Sequence, residues 1–491
     1  MATATKSSGR LGSLILPLAL AQFVCSYAGS AMNVATTDIA HDLSTTVAGV
    51  QLTITLFTLT MAALMIPGSK LTDMSGRKKI FLIGLSVYGV GSLIALLAPV
   101  LGVMIFGYSL LEGLGTALLI PPVYIMVTAA YTGLTRARNY GIVAGAGGIG
   151  SAMGPLVGGA ITTAVSWRGS FLLQFAIVML IIFLGRKIVE PKKEKGPKVS
   201  FDFGSAILSG LGLLLIILGL QTTASYGWII CAKDFSIGNV VLIPQGSVSP
   251  LIVIAGIGIL LNIGFYFSVR HRERVGKEPL IHSKIFHNRL SNTGLVTQIV
   301  QWLVIQGLFF TVSVYLQTYR HFSAVEAGLT LTATTIGLII SASLAARLAS
   351  RRSQRQLIRA GFILTVIGLA LGLALTRYDS PVINLLPGLF IIGLGMGIML
   401  TSSVNLVQSA FGDKDQADIS GLSRSVSNLG SSIGVSLVGS IIISALLPLA
   451  QSYGLAIAVL LGVSIVGLFA AILIPKTPSK EITPEQEKIS A

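Results

Sequence analysis

A polar segment separates two long apolar runs early in the chain, and its residues 68–79 read GSKLTDMSGRKK. Gly68 allows two helices to approach closely, and Gly76 allows a tight turn. Asp73 can accept hydrogen bonds from Arg77 or from the N-terminus of a neighbouring helix. A loop that only held basic residues at a membrane surface would explain the two final lysines, but not this spacing of glycine, aspartate and arginine. The segment is therefore a candidate functional element.

The composition is typical of a membrane protein. Of 491 residues, 53% are hydrophobic and only 11% are charged, whereas soluble proteins carry about 25% charged residues. The 55 glycines are typical of closely packed membrane helices. A soluble enzyme, a secreted scaffold and a disordered chain are excluded. The two cysteines, Cys25 and Cys231, are too few for a disulfide framework and are predicted to be free thiols.

Apolar runs of about 20 residues predict fourteen membrane-spanning helices. The approximate limits of these spans are residues 12–33, 49–68, 80–98, 102–126, 140–164, 170–186, 204–222, 249–269, 291–316, 326–346, 357–376, 384–407, 420–447 and 453–474. The first run is longer than the core of a signal peptide and is predicted to be an uncleaved helix.

Basic residues alternate along the connections between these spans. Of 34 Lys and Arg residues, 30 belong to the side of both termini, with Arg424 counted among them. The other four are Arg168, Lys233, Arg320 and Arg377. This asymmetry predicts a multi-pass protein of the cytoplasmic membrane with both termini in the cytoplasm. Topology and contact with anionic lipid therefore explain the net charge of +16, and nucleic acid is excluded as a partner.

A second glycine-rich segment lies in the fifth span, where residues 150–159 read GSAMGPLVGG. Its glycines and proline are Gly150, Gly154, Pro155, Gly158 and Gly159. Small residues four apart let two helix backbones approach, and the proline removes one helical hydrogen bond, which gives a bend or a flexible point. Glycine-rich packing is common in membrane helices, so a purely structural role also accounts for the glycines.

Both segments resemble elements of the major facilitator superfamily. Residues 68–79 resemble its Gly-x-x-x-Asp-x-x-Gly-Arg-Lys element, which implies that contacts made and broken there operate the inward gate. Residues 150–159 resemble an element typical of the exporters in that superfamily. Smaller matches, among them Asn33-Val34-Ala35 and Trp167-Arg168, are similar to the fourteen-span drug:proton antiporters. The resemblance covers nearly the whole chain.

The resemblance implies an all-α polytopic protein with the major facilitator fold: two pseudo-symmetric six-helix bundles plus two inserted linker helices. The implied units are an N-terminal bundle at 1–190, a cytoplasmic loop with spans 7 and 8 at 191–280, a C-terminal bundle at 281–475 and a disordered cytoplasmic tail at 476–491. The two bundles would rock about a site near the middle of the membrane. Gly430 and Gly434 in span 13 repeat the glycines of span 5.

The fourth span departs from the family where proton coupling is expected. The family usually carries Arg-x-x-Gln-Gly there, whereas residues 109–113 read SLLEG, so the arginine is absent and Glu112 replaces the glutamine. Glu112 is the one carboxylate near the middle of a predicted span, about 15 Å from either end. A carboxyl group in apolar surroundings resists ionisation, which suits a proton carrier. The alternatives are a counter-charge for a cationic drug and a neutral acid that packs helices together.

Other polar side chains within the spans are candidates for a substrate cavity. Three share one face of span 9 at intervals of four residues: Gln298, Trp302 and Gln306. The remaining candidates are Gln22, Asn33, Gln174 and Asn405. Hydrogen bonding between helices explains each of them equally well.

These features predict a secondary active transporter that exports hydrophobic or cationic small molecules, such as drugs, in exchange for protons by alternating access. One alternative is a dedicated exporter or flippase of an endogenous metabolite or lipid, and another is a passive facilitator or channel. The histidines lack metal-binding spacing and the sequence contains no phosphate-binding loop, so enzyme activity and metal binding are not expected. No cofactor is expected beyond the proton gradient, and the protein is predicted to be a monomer.

Overall fold

The computed structural model describes residues 8–131, 133–186, 188, 201–237, 240–348, 352–376, 380–412, 415–443 and 448–475. Most of these residues are helical. The predicted tail from residue 476 and residues 191–200 of the predicted cytoplasmic loop lie outside the described part of the chain.

The described residues form sixteen α-helices. They are α1 (Ser8–Val34), α2 (Thr36–Asp42), α3 (Val47–Ser75), α4 (Arg77–Leu96), α5 (Leu101–Met104), α6 (Gly113–Ala130), α7 (Gly133–Ala164), α8 (Arg168–Gly185), α9 (Phe203–Tyr226), α10 (Pro250–Arg274), α11 (Arg289–Val314), α12 (Ala324–Leu348), α13 (Gln354–Leu375), α14 (Leu386–Ser409), α15 (Gln416–Ile443) and α16 (Leu449–Leu473). Wider, π-helical turns join α5 to α6 at Ile105–Glu112 and extend α11 at Tyr315–Tyr319.

Thirteen helices in the described residues are long and apolar enough to cross a membrane. They confirm a polytopic all-α membrane protein. Each of the fourteen predicted spans coincides with a helix, but α7, at the fifth, is not among the thirteen. The side chains of several α7 residues lie outside what the structure describes, so these thirteen helices do not test whether α7 crosses the membrane. The count of fourteen spans therefore stays a prediction.

Local side-chain chemistry sets several helix ends. Asp202 caps α9 and Asn288 caps α11, each accepting hydrogen bonds from backbone N–H groups of the first turn. Ser353 and Gln356 form a reciprocal capping box at the start of α13. Only Gly76 separates α3 from α4, and its φ of +97° is one that other residues rarely adopt. The turn predicted at Gly76 is therefore present.

The helices on either side of the α9–α10 pair repeat one arrangement. In the first half, α1 packs against α7, and α4 packs against α6 and α8. In the second half, α11 packs against α15, and α13 packs against α14 and α16. Each pair in one half has its counterpart in the other, in the same order along the chain. This repeat agrees with the predicted pseudo-symmetry of the fold.

Glycines make matching contacts in the two halves. A Cβ atom on Gly154 of α7 would overlap Ser30 in α1, and a Cβ atom on Gly430 of α15 would overlap the carbonyl group of Ile299 in α11. Gly434 meets the Leu303 carbonyl group in the same way. The glycines that repeat in span 13 thus allow the same close approach as those in span 5.

The two halves meet along two seams, one between α3 and α15 and the other between α7 and α12. The linker helices α9 and α10 pack against each other, and α9 also contacts both α3 and α15. The linker pair therefore covers the α3–α15 seam.

A small β-hairpin connects the linker helices and marks one side of the molecule. Its antiparallel strands are β1 (Phe235–Ile237) and β2 (Val240–Ile243). We call the side that carries the α3–α4 turn the basic side. The other side, which carries the hairpin, is called the opposite side. Cys231, beside the hairpin, and Cys25, in α1, are both free, as predicted.

Candidate functional site

A cavity lies between the two halves of the molecule. Helices α1, α3, α6 and α7 of the first half and α11 and α15 of the second half line it. Hydroxyl and amide groups dominate two walls: Gln22, Ser26 and Ser30 from α1, and Ser427, Asn428 and Ser431 from α15. The cavity is therefore a chamber with two polar walls at the interface between the halves.

An apolar surface faces part of the same chamber. It consists of Met61 and Met65 from α3, Ile120 from α6 and the indole of Trp302 from α11. Methionine side chains adapt to ligands of different shape, and an aromatic ring offers a broad apolar face. The chamber can thus contact both an apolar body and polar substituents of a small molecule.

Three of the seven predicted cavity residues line the chamber: Gln22, Trp302 and Gln306. The Gln22 amide donates a hydrogen bond to the Ser26 hydroxyl at 3.2 Å. The Gln306 amide donates to the Gly29 carbonyl at 3.4 Å, which joins α11 to α1 across the interface. These side chains are placed to meet a bound molecule, and their role as substrate contacts stays a prediction.

Gln174, Gln298 and Asn405 do not line the chamber. Gln174 accepts a hydrogen bond from the Tyr88 hydroxyl at 2.6 Å inside the first half. Gln298 accepts one from the Ser423 hydroxyl at 2.8 Å between α11 and α15. Asn405 is exposed near the end of α14. For the two glutamines, the geometry favours the alternative of hydrogen bonding between helices.

The count of basic residues places Arg424 in a connection between spans on the side of the termini, and the structure corrects this placement. Arg424 lies inside α15 and lines the chamber. Its guanidinium donates a hydrogen bond to the Tyr124 hydroxyl of α6 and lies 5.0 Å from the centroid of that ring. The sequence could have indicated this position, because Arg424 lies four residues inside the predicted limits of span 13. An arginine within a span is costly and usually functional.

Glu112 is fully buried but does not line the chamber. It ends the π-helical turn before α6, and a Cβ atom on Gly91 of α4 would lie 3.0 Å from its Cγ. The hydroxyl groups of Ser92 and Tyr88 are the polar neighbours of its carboxyl group, although neither carboxyl oxygen has the full geometry of a hydrogen bond with a described residue. Thr116, one turn further along α6, does line the chamber. Glu112 therefore lies inside the first half, against α4.

Short π-helical segments within α-helices are frequently found at functional sites. The Ile105–Glu112 turn packs closely on α4, where a Cβ atom on Gly91 would lie 2.6 Å from the Gly107 carbonyl oxygen. The Tyr108 hydroxyl in the same turn donates to the Ala28 carbonyl of α1 at 3.3 Å. The turn thus holds Glu112 among α1, α4 and α6.

Residues 68–79 tie four helices of the first half together. A Cβ atom on Gly68 would overlap the Ala117 carbonyl oxygen, so α3 and α6 are in backbone contact, as the glycine predicts. Arg77 begins α4, and the Lys78 ammonium group donates to the Arg186 carbonyl at 2.9 Å at the end of α8. The side chain of Asp73 lies outside what the structure describes, so its predicted gating contacts stay a prediction.

Ion pairs on the basic side link helices of both halves and the linker. They are Lys70–Glu278 (3.0 Å), Arg272–Asp202 (3.1 Å), His282–Asp418 (2.8 Å) and Lys284–Asp415 (2.7 Å). The hydrogen bond with the Asp418 carboxylate raises the pKa of the His282 imidazole. Within the described residues, no group of three His, Cys, Asp or Glu side chains could hold a metal ion.

The glycine-rich segment of α7 serves two contacts at once. Gly150, Gly154 and Gly158 lie one turn apart and face Phe23, Ser30 and Ala31 of α1 in turn. On another face, a Cβ atom on Gly159 would lie 2.5 Å from the Ala324 carbonyl oxygen at the start of α12. The Pro155 carbonyl oxygen lies against Gly328 of α12. The segment therefore packs α7 against its own half and against the other half.

Hydrogen bonds also join the halves on the opposite side of the chamber. The Ser313 hydroxyl donates to the Asn33 carbonyl oxygen at 2.6 Å, and the Thr37 hydroxyl bonds to the Gln317 side chain. Asn33 itself is fully buried and does not line the chamber. With the α7–α12 contact, these bonds hold the two halves together on that side.

The Trp167-Arg168 pair forms a cluster with Asp42 on the opposite side. The Trp167 indole donates to the Asp42 carboxylate at 2.9 Å, and Arg168 forms an ion pair with the same carboxylate. Arg168 also donates to the Ala98 carbonyl at 2.8 Å and lies 4.3 Å from the centroid of the Trp167 ring. The two hydrogen bonds from Arg168 and Trp167 lower the pKa of Asp42. The cluster ties the ends of α2, α4 and α8 together.

Comparison with known proteins places this architecture in a family. The family model described as Major Facilitator Superfamily matches residues 18–435. The chain is 27% identical to the cephamycin export protein of Amycolatopsis lactamdurans, over 97% of this chain and 94% of that protein. It is 26% identical to a puromycin resistance protein of Streptomyces alboniger, over 86% of this chain and 80% of that protein.

A further relative is a multidrug transporter of Bacillus subtilis, 24% identical over 87% of this chain and 74% of that protein. Among solved structures, a nucleoside transporter aligns with a TM-score of 0.59 over 94% of this chain and 100% of that chain, at 12% identity, which supports the fold alone. The match over most of the chain shows that this protein belongs to the major facilitator superfamily and is a membrane transporter, not an enzyme.

Proposed function

We propose that the protein exports small organic molecules of amphiphilic character in exchange for protons, by alternating access. The chamber between the two halves is the observation that carries this proposal, because its polar and apolar walls suit such molecules. Several relatives are named for resistance to, or export of, antibiotics, which supports export rather than uptake. The predicted cationic substrates are less well supported, since no acidic residue lines the chamber.

Alternation requires seams that can separate and close again. On the opposite side, the halves meet through Ser313, Gln317 and the glycine contacts of α7 with α12. Such contacts rely on van der Waals packing and a few hydrogen bonds, each of which contributes about 1 kcal/mol. We expect them to open while the ion pairs of the basic side and the α3–α4 element consolidate, which would expose the chamber to the other side.

Proton coupling is assigned to Glu112 in this proposal. A fully buried carboxyl group whose polar neighbours are the Ser92 and Tyr88 hydroxyl groups, with no cation beside it, favours the neutral acid, so its ionisation requires a rearrangement that admits water or a cation. Movement of α6 against α1 and α4 would provide that rearrangement, because Glu112 lies among these helices and Thr116 of α6 reaches the chamber. Protonation of Glu112 and occupancy of the chamber would then favour different states of the same bundle.

Inverted membrane vesicles with an acidified interior test this function. The panel contains one neutral, one cationic and one anionic fluorescent dye of similar size. Wild type is expected to accumulate at least one dye, a protonophore should abolish that accumulation, and Glu112→Gln should abolish it as well. Glu326→Gln is the matched control, because Glu326 lies exposed in the first turn of α12. Accumulation retained by Glu112→Gln would move the proton site elsewhere, and accumulation insensitive to the protonophore would indicate a passive facilitator.

A dedicated exporter of one metabolite is the second candidate. Three relatives are named for one compound each, namely cephamycin, actinorhodin and riboflavin. Failure of correctly folded wild type to accumulate any dye would favour this candidate over broad export, and a panel of secreted metabolites and labelled lipids would then identify the cargo.

The proposal also includes the placement and assembly of the protein. We place both termini in the cytoplasm, because 30 of 34 basic residues belong to the side of the termini. A monomer suffices, because one chain forms the whole chamber. Labelling of single cysteines at either end from outside intact cells, and the mass of the purified protein in detergent, test these two points.

A further inference from the structure

Arg424 is a cation within an apolar helix. It lies six residues inside the candidate membrane span Asp418–Ile442, about 9 Å from its start. Charged side chains within membrane spans are rare, face protein or water-filled cavities, and mark substrate or ion pathways. A role in topology would place the residue in a connection, so its position inside the helix needs another explanation.

The surroundings of Arg424 leave its charge uncompensated. Among the described residues its one hydrogen-bond partner is the Tyr124 hydroxyl, and it forms no ion pair with a carboxylate there. A guanidinium has five N–H donors and prefers the two oxygens of a carboxylate. The residues that line the chamber include neither an aspartate nor a glutamate. The charge of the chamber wall is therefore positive.

Neighbouring groups complete a site for an oxyanion. Asn428 lies one turn beyond Arg424 on the same face of α15 and also lines the chamber, as does Ser427. Amide and hydroxyl groups can donate to an oxygen that the guanidinium holds. Elsewhere on the chamber wall, Trp302 and Met61 offer an aromatic and an aliphatic surface. The site thus combines an anionic subsite on α15 with an apolar subsite formed by α3 and α11.

We propose that this chamber binds amphiphilic organic anions, with a carboxylate held by Arg424 and an aromatic or aliphatic body against Trp302 and Met61. The inference deepens the proposed function by naming the charge of the substrate, and it rests on that function only for the transport step. A cation would meet the like charge of Arg424, and the buried Glu112 carboxyl group does not line the chamber to offset it.

Three compounds with the same ring system test the assignment: 1-naphthoate, 1-naphthamide and 1-naphthylmethylammonium. Their binding to the full-length protein in lipid nanodiscs is measured by isothermal titration calorimetry, with empty nanodiscs as the blank. We expect naphthoate to bind at least tenfold more tightly than the other two compounds, and its affinity to fall with rising salt. Arg424→Gln should remove this tenfold preference, equivalent to about 1.4 kcal/mol.

Two further variants separate charge recognition from folding. Arg424→Lys keeps the positive charge but cannot bind a carboxylate in the bidentate geometry of arginine. It should therefore retain a preference for naphthoate at reduced affinity. Arg359→Gln is the matched control: its guanidinium donates to the Ala471 and Ile472 carbonyl groups at the basic end of α16, and binding should match wild type.

The outcomes separate this inference from the proposed function. Tighter binding of the ammonium compound, an unchanged preference in Arg424→Gln, or no binding of any compound at millimolar concentration would each overturn the inference. Proton-driven dye accumulation in vesicles would still support the proposed function in those cases. Conversely, an Arg424-dependent preference for naphthoate without any proton-driven accumulation would support the inference and overturn the proposed function.

Discussion

Gly328 of α12 lies directly against the carbonyl oxygen of Pro155 in α7, so close that a Cβ atom on Gly328 would overlap that oxygen. This contact joins the two halves on the opposite side of the chamber, where Gly159 also meets the Ala324 carbonyl group. The carbonyl groups of one helix therefore lie against glycines of the other, and the fit tolerates no added atom. Such a seam can close fully or separate, with few states between.

Gly328→Ala is expected to weaken this seam. Overpacking a close helix contact costs about 1–3 kcal/mol, so the variant should unfold at a lower temperature and transport more slowly. Gly256→Ala in α10 is the control, because no atom lies within 4 Å of a Cβ placed there. Thermal unfolding in detergent and transport in vesicles measure both variants. Equal behaviour of the two would show that the seam relaxes at no cost.

Ser313→Ala is expected to favour opening of the opposite side. It removes the hydrogen bond from the Ser313 hydroxyl to the Asn33 carbonyl oxygen and the one that the hydroxyl accepts from Gln317 at 2.7 Å. Loss of about 1 kcal/mol would shift the equilibrium between closed and open states roughly fivefold. Hydrogen–deuterium exchange of residues 35–46 should accelerate.

Ser343→Ala provides the comparison for that experiment. The Ser343 hydroxyl donates within its own helix to the Ile339 carbonyl at 2.9 Å and is exposed, so exchange of residues 35–46 should match wild type. Unchanged exchange in Ser313→Ala would mean that the other contacts of the seam hold the halves together without this hydrogen bond.

Asp42 should stabilise the protein above its unfolded pKa and lose that contribution in acid. Arg168 and Trp167 donate to its carboxylate and lower its pKa, so the contribution is complete above about pH 4 and disappears as the pH falls through the lowered value. The carboxylate is about half exposed, so we expect an effect below about 1 kcal/mol. The midpoint difference between wild type and Asp42→Asn should shrink between pH 6 and pH 3, and a constant difference would contradict the pairing.

His282 should show the reverse dependence on pH. The hydrogen bond with Asp418 raises its pKa, and Glu278 and Lys70 are the other charges that act on it. The contribution of the charged pair is complete below the ordinary histidine value of about 6.5 and is lost as the pH rises through the raised value. The stability difference between wild type and His282→Gln should therefore be largest near pH 5.5 and smaller near pH 9. A difference that grew with pH would show that the pair forms with neutral histidine.

Much of the fold could be predicted from local properties of the sequence. The turn at Gly76, the close approach of α3 to α6 at Gly68 and the glycine contacts of α7 follow from residue size and backbone freedom, which act within a few residues. The hydropathy of each run likewise predicts a helix of membrane length without knowledge of its neighbours. The helix for span 5 lies at its predicted position, and its crossing of the membrane stays a prediction.

The composition of the chamber could not be predicted in the same way. Gln22, Trp302 and Gln306 line it, whereas Gln174 and Gln298, which also lie within predicted spans, bond to Tyr88 and Ser423 within the helix packing. Which face of a helix meets the chamber depends on all the helices packed around it. In spans that are apolar on every side, periodicity carries little information about this choice.

The sequence by itself determined the membrane helices, their order and the family, because hydropathy and the glycine motifs are local properties that survive any arrangement of the helices. Only the tertiary structure decided that Glu112 is buried against α4 and that Arg424 lines the chamber beside Tyr124. Arg424 and Tyr124 are 300 residues apart, and their contact exists only because the two halves pack face to face. The charge of the chamber is thus a property of the interface between the halves.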